Sequence, residues 1–177
     1  LRSNTSGGKN TVSGNIALNA NTTGSNNVAF GMQALRFNTT SSDNVAVGYQ
    51  TLYTMSSTGD ANKSTAVGYQ AGYNSTHNVD AFGAQALYNN TTGVLSVAIG
   101  REALYSNTGA SYNTAVGYQA GYSNTTGGEN SYFGRWCGKG VTTGTGNVFL
   151  GARAGNYQIP TTTGSYNTVI GSYSKVG

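Results

Sequence analysis

"NTAVGYQAGYSNTTG" runs from Asn113 to Gly127, and "STAVGYQAGYNSTHN" runs from Ser64 to Asn78. Looser copies begin at Asn27 ("NVAFGMQALRFNTT"), Asn44 ("NVAVGYQTLYTMSS") and Ser96 ("SVAIGREALYSNTG"). Self-similarity at a fixed period marks a repeat architecture. Aligned on the glycine of "AVG", ten copies fall in phase, at Gly14, Gly31, Gly48, Gly68, Gly83, Gly100, Gly117, Gly134, Gly151 and Gly171. Their spacings are 17, 17, 20, 15, 17, 17, 17, 17 and 20 residues. A dominant period of 17 implies one structural coil per repeat, with the length changes placed in the polar links.

The columns around the glycine give each coil its faces. The residue before it is large and apolar in nearly every copy: Phe30, Val47, Val67, Phe82, Ile99, Val116 and Leu150 among them. Two before it stand Ala29, Ala46, Ala66, Ala81, Ala98 and Ala115, and three before it Val28, Val45, Val97 and Val148. Successive strand side chains point to opposite faces, so the large residues share one face and Ala takes the other. Beyond the glycine a second short segment carries another small column, with Ala34, Ala71, Ala86, Ala103 and Ala120. It also carries a Gln column and a Tyr column, followed by turn chemistry such as "NTTGSN". Each coil is therefore expected to be strand, glycine turn, strand and loop. The two Ala columns face each other across a thin interior. At ~4.8 Å per rung, ten rungs make a rod on the order of 45–50 Å long. In "GYQAGY" itself the first Gly should be a tight corner, the Ala should point inward, and the Gln should ladder with the Gln of neighbouring rungs.

Composition agrees with an all-β chain. Among 177 residues 27 are Gly and only 8% are charged, too few Lys and Glu to write helix faces. Regularly spaced Val, Ala, Phe, Ile and Tyr argue against disorder. The net charge of +4 is scattered without a Lys or Arg block, so neither a nucleic-acid nor an anionic-membrane footprint is expected. No apolar run approaches the ~20 residues of a membrane span. "LRSNTSGG" reads as the cut beginning of a piece from a longer chain. Residues 1–177 are expected to form a single repeat domain.

The first strand is apolar on both faces, although a lone coil has only one interior. With Ala inward, the stripe of Val28, Phe30, Val45, Val47, Val67, Phe82, Val97, Ile99, Val116, Val148 and Leu150 is left outside. Such a patch exceeds what monomers expose. Every rung repeats it, so its expected cover is another copy of the same rod about a shared axis. The alternative places the large residues inside and turns the Ala stripe outward.

"NVAFGMQAL", "NVAVGYQTL", "SVAIGREAL" and "NTAVGYQAG" resemble the head repeats of YadA-like trimeric autotransporter adhesins, and similar copies occur in bacteriophage tail fibres. The resemblance covers Asn10 to about Gly171. It implies a left-handed parallel β-roll, or β-solenoid, assembled as an intertwined or side-by-side homotrimer. In that arrangement the "NxAxG" strand lines the threefold axis. Handedness and the number three come from the resemblance alone. Several features depart from it. "TTG" loops lengthen each coil, Tyr132 and Phe149 occupy the Ala column, and Trp136 replaces a Gln. Either the roll widens there or the face assignment slips. Ile159-Pro160 lies in a long link before the last rung.

No constellation for catalysis can be written. Asp43, Asp60, Asp80, Glu102 and Glu129 fall at different places in the repeat, and His77 is alone in a loop expected at the surface. Cys137 reads as a small buried filler. No enzyme activity, cofactor or metal is expected. The functional expectation is a structural and adhesive fibre segment, a phage tail-fibre shaft or receptor-binding rod used in host attachment. It would sit in the virion or on an extracellular surface, with a glycan or protein receptor as partner. The alternative is the head of a bacterial trimeric surface adhesin. Tyr53, Tyr73, Tyr88, Tyr105, Tyr122 and Trp136 form a candidate glycan-contact surface, with packing between rungs as the competing role of the Tyr column. An ice-binding solenoid is a remote alternative, since Thr22-Thr23, Thr39-Thr40, Thr91-Thr92 and Thr125-Thr126 lie in loops, off any flat strand face. "Asn-Thr-Thr" at Asn21, Asn38, Asn90 and Asn124 matches an N-glycan acceptor pattern, read here as composition.

Overall fold

The computed structural model describes residues 2–55, 63–156 and 163–174. It contains β1 (Thr11–Ser13), β2 (Val28–Phe30), β3 (Val45–Val47), β4 (Thr65–Val67), β5 (Val79–Phe82), β6 (Ser96–Ile99), β7 (Thr114–Val116), β8 (Ser131–Phe133), β9 (Val148–Leu150) and β10 (Thr168–Ile170). Every strand ends on the residue before one of the ten corner glycines. All ten pair in chain order in one sheet, and the pairing is parallel. Register is column on column: Val28, Ala29 and Phe30 lie beside Val45, Ala46 and Val47. The result is a β-solenoid of about nine turns. The two 20-residue spacings include residues 56–62 and 157–162, so the link carrying Ile159-Pro160 lies outside the described residues.

Among the described residues the second strand expected after the glycine is absent, and with it the second sheet. The segment alternates inward and outward side chains as a strand does, but its backbone alternates in hand. Gln33 has φ 62° and Leu35 has φ 49°. The peptide groups still bond along the rod. Gln33 N–H donates to the Asn15 carbonyl one coil back at 3.0 Å, and Leu35 N–H donates to the Thr51 carbonyl one coil forward at 3.0 Å. A left-handed non-glycine residue costs about 1–2 kcal/mol. Rung-to-rung bonding offsets that cost, because the N–H groups of the left-handed residues are paired with carbonyls of the neighbouring coils.

Both Ala columns point inward. Ala29, Ala46, Ala66, Ala81, Ala98 and Ala115 are fully buried, as are Ala34, Ala71, Ala86, Ala103 and Ala120. A further apolar column, Leu18, Leu35, Leu52, Leu87 and Leu104, is also completely buried and contributes larger aliphatic side chains to the core. The departures at the C-terminal end are resolved by a size exchange within these columns. Tyr132 and Phe149 stay inward with no exposure, and their rings pack 5.9 Å apart. Where they enter, the Leu column becomes Gly121, Gly138 and Gly155. A Cβ on Gly121 would lie 2.7 Å from the Tyr132 ring, and one on Gly155 would lie 3.1 Å from the Phe149 ring. The faces keep their assignment, because large-for-small is matched by small-for-large at constant interior volume.

Two ladders of buried asparagine complete the interior. Asn130 Oδ1 accepts from the backbone N–H and the Nδ2 of Asn147, both at 2.9 Å, and Asn130 Nδ2 donates to the Gly144 carbonyl at 2.8 Å. The same geometry joins Asn10, Asn27 and Asn44. The second ladder runs through the "NTT" words. Asn38 Nδ2 reaches Asn21 Oδ1 at 3.0 Å, and Asn107 Nδ2 reaches Asn90 Oδ1 at 2.7 Å. Asn21, Asn38, Asn90 and Asn124 are fully buried, so these asparagines cannot accept a sugar in the folded rod. They are polar core, with each amide donating to the chain.

Candidate functional site

Three surface features run along the rod. The first is the outward face of the sheet. Phe30 is 58% exposed, Ile99 43% and Leu150 48%. Val67, Phe82 and Val148 are exposed as well, while Val28, Val45, Val47, Val97 and Val116 are half-buried. Phe133 and Ile170 extend the stripe, and Met32, Tyr49, Tyr69 and Tyr118 flank it just past the corner glycines. Among the described residues of one chain nothing covers this face. Asp80 is the acidic interruption, and its Oδ1 accepts the Thr65 N–H at 3.3 Å.

The second feature is the pair of stripes beyond the corner. Gln50 Nε2 donates to Gln33 Oε1 at 2.6 Å, Gln70 to Gln50 at 2.8 Å, and Gln85 to Gln70 at 3.2 Å. Glu102 continues the column and accepts from Gln119. The Gln119 amide, aided by Arg101, holds the Glu102 carboxyl below the ordinary range. Tyr53, Tyr73, Tyr88, Tyr105 and Tyr122 stack with ring centres 4.8–5.4 Å apart. Burial and the neighbouring phenols push the hydroxyls of Tyr73 and Tyr88 up. Stacking consumes ring faces, so Tyr73, Tyr88 and Tyr105 offer a saccharide only edges and hydroxyls.

Position in these columns sets the cost of substitution. Ala120→Leu forces three methyl-sized groups into a filled interior and is expected to cost roughly 1–3 kcal/mol per chain. Gln70→Ala removes two half-buried ladder bonds, one to Gln50 and one from Gln85, whose partners water can reach, and is expected to cost about 0.5–1.5 kcal/mol. Thermal melting of both variants checks the order. An Ala120→Leu protein that melts with the parent contradicts an inward position for residue 120.

The third feature is a cationic corner near the C-terminal end. Trp136 stands in the Gln column with φ 60°. Arg135 lies over its ring at 4.5 Å, Arg153 from the next coil at 4.4 Å, and the Lys139 ammonium at 5.6 Å. Lys139 also sits 5.5 Å from the Tyr122 ring, and Arg153 sits 5.1 Å from that of Tyr173. Among the described residues the one ion pair is Arg101–Glu102, so none of these three cations is in contact with a carboxylate, although the charge of Lys139 helps to lower the Glu102 carboxyl.

Among the described residues no group of three or more His, Cys, Asp or Glu comes together to hold a metal. Cys137 stands in the inner small column, fully buried, and its Sγ–H donates to the Phe149 carbonyl at 3.1 Å. Burial pushes its thiol up to about 12, which leaves almost no thiolate at neutral pH. His77, expected at the surface, is half-buried and bonded to the Thr76 hydroxyl at 2.8 Å. The first Thr of several pairs is engaged in the rod: Thr22, Thr91 and Thr125 each donate Oγ1–H to a carbonyl of the next coil. No helix among the described residues is long and apolar enough to cross a membrane. No family model, no curated protein and no solved structure matches the chain.

The sequence-level sites thus fall on separate surfaces. The Val/Phe/Ile stripe is one outward face, the Ala columns are core, and the Tyr column and Trp136 lie beyond the corner. The Arg135–Lys139–Arg153 cluster was not anticipated. Its signal was present, since no acidic residue follows Glu129 while Arg135, Lys139, Arg153 and Lys175 do.

Proposed function

We propose that the chain is a rigid segment of a trimeric fibre, of the bacteriophage tail-fibre kind, used as shaft and adhesive surface in host attachment. The observation that carries this is the apolar sheet face that the described residues leave uncovered along the rod. Burying it requires a partner that is apolar at every ~4.8 Å step over nine coils. A second and third copy meet that requirement automatically, because their columns share the same period and register. Three rods with these faces turned to a common axis, each wound left-handed as the repeat resemblance implies, leave the Tyr and Trp136 stripes outside for a receptor. Stacked rungs held by their neighbours suit a shaft under load. Catalysis plays no part in this function. The chain has one His and one Cys, and the Cys is sealed in the core.

Ile99→Lys tests the shared face. In a single chain residue 99 is 43% exposed, so the coil itself is expected to fold, with circular dichroism unchanged. In a trimer three ammonium groups converge in an apolar seam, costing several kcal/mol. The expected result is a slower-sedimenting species than the parent. Sedimentation identical to the parent contradicts a seam at this face.

A further inference from the structure

We propose that the Trp136 corner is a binding site for an acidic saccharide, one whose sugars carry carboxylate, sulfate or phosphate groups. The inference deepens the adhesive side of the fibre function and rests on it. Arg135 and Arg153 lie over the indole at 4.5 and 4.4 Å. A guanidinium stacked on an aromatic face keeps its in-plane N–H fork free, and that fork matches the two oxygens of an oxyanion. Contact with the indole restricts both guanidiniums before a ligand arrives, which reduces the ordering cost of binding. Lys139 adds a third positive charge 5.6 Å from the same ring. The corner is rich in donors and poor in acceptors. Arg153 Nε and Trp136 Nε1 are shielded from solvent without a hydrogen-bond partner, and Glu102, the acid farther along the column, is engaged by Arg101 and Gln119. A neutral sugar has little to gain here, because stacking on the Trp136 face competes with two guanidiniums.

A nucleic acid fits less well than a saccharide. Backbone recognition takes a track of about 6–10 phosphate contacts. Here three cations cluster at one corner, and the rungs before it carry Gln and stacked Tyr. In a trimer the corner occurs three times around the rod, so a polysaccharide chain can engage more than one copy.

Trp136 is the only tryptophan in the chain, which makes indole fluorescence a direct readout of the site. The intact protein is titrated with a heparin-derived hexasaccharide for sulfate, an oligogalacturonate hexamer for carboxylate, maltohexaose, sodium sulfate and a twelve-nucleotide thymidine strand. The expected result is a saturable change with at least one acidic hexasaccharide, weakening as salt is raised, and none with maltohexaose. Arg153→Gln and Lys139→Gln are each expected to weaken binding about tenfold or more, with the melting temperature as fold control. If Arg153→Gln fails to fold, Lys139→Gln alone decides. No saturable change with either acidic hexasaccharide overturns the site. So does an equal change with maltohexaose, an equal response to sodium sulfate at matched anion concentration, or tighter binding of the thymidine strand. Light scattering on the same samples separates the two levels. A trimer that does not bind overturns this site and spares the fibre, whereas a monomer overturns the fibre.

Discussion

Gly117→Ala is expected to destabilise each chain by about 3–5 kcal/mol, although it adds a single methyl group. Gly117 holds φ 136°, a region in which L side chains cost of order 1–3 kcal/mol. The added Cβ would also stand 2.6 Å from both the carbonyl carbon and the oxygen of Gly134. Those atoms belong to the backbone of the next coil, so relief requires parting two rungs that bond at 2.8 Å through Gly134 N–H and the Val116 carbonyl. Gly140→Ala is the control. A Cβ at Gly140 meets nothing within 4 Å, and the change is expected to stay within about 0.5 kcal/mol of the parent. Chemical denaturation of the two variants side by side measures the difference. Equal stability contradicts a steric role for the corner.

The second large effect is expected in the buried amides. Asn130→Ala leaves the Asn147 N–H and the Gly144 carbonyl without their partners, inside the rod. Each unsatisfied buried group costs about 1–3 kcal/mol, so the loss is expected at about 2–5 kcal/mol per chain. Asn130→Ser is expected to cost clearly less. The chain itself uses serine in this column, where Ser64 Oγ accepts the Val79 N–H at 3.2 Å and Ser96 Oγ accepts the Asn113 N–H at 3.2 Å. Ser therefore keeps the acceptor that the next coil needs. Melting curves that order the variants parent, Ser, Ala fit the ladder. An Ala variant as stable as the Ser variant would show that the amide column carries no load.

Much of this rod is legible in its sequence because a solenoid repeats its constraints. The corner glycines sit in phase, and each one closes a strand with φ between 116° and 138°. The Ala of "AVG" and the Ala of "GYQAG" read as inward from their size, and both are buried. The Gln ladder follows from identical residues stacked one rung apart. The second segment was misread for a physical reason. Period-two alternation of faces also arises when the backbone alternates between right- and left-handed turns, as at Gln33 and Leu35, and side-chain pattern alone does not separate the two.

The asparagine ladders were obscured differently. Asn in "NTTG" carries a strong turn signal, which masked the ladder through Asn21, Asn38, Asn90 and Asn124. The other ladder is a column as regular as Ala: Asn10, Asn27, Asn44, Asn113, Asn130, Asn147 and Asn167 all stand four residues before a corner glycine. The Leu-to-Gly exchange at Gly121, Gly138 and Gly155 was visible too. Its meaning emerges only once Tyr132 and Phe149 are known to point at those positions. The cationic corner needed three dimensions, because Arg153 reaches Trp136 from the following coil.

Light scattering coupled to size exclusion at micromolar concentration tests the shared apolar face most directly. The expected mass is three times the 18.2 kDa chain, unchanged on dilution within that range. A stable, soluble species of 18.2 kDa would contradict it, since the stripe from Phe30 to Ile170 would then stand open to water along the whole rod.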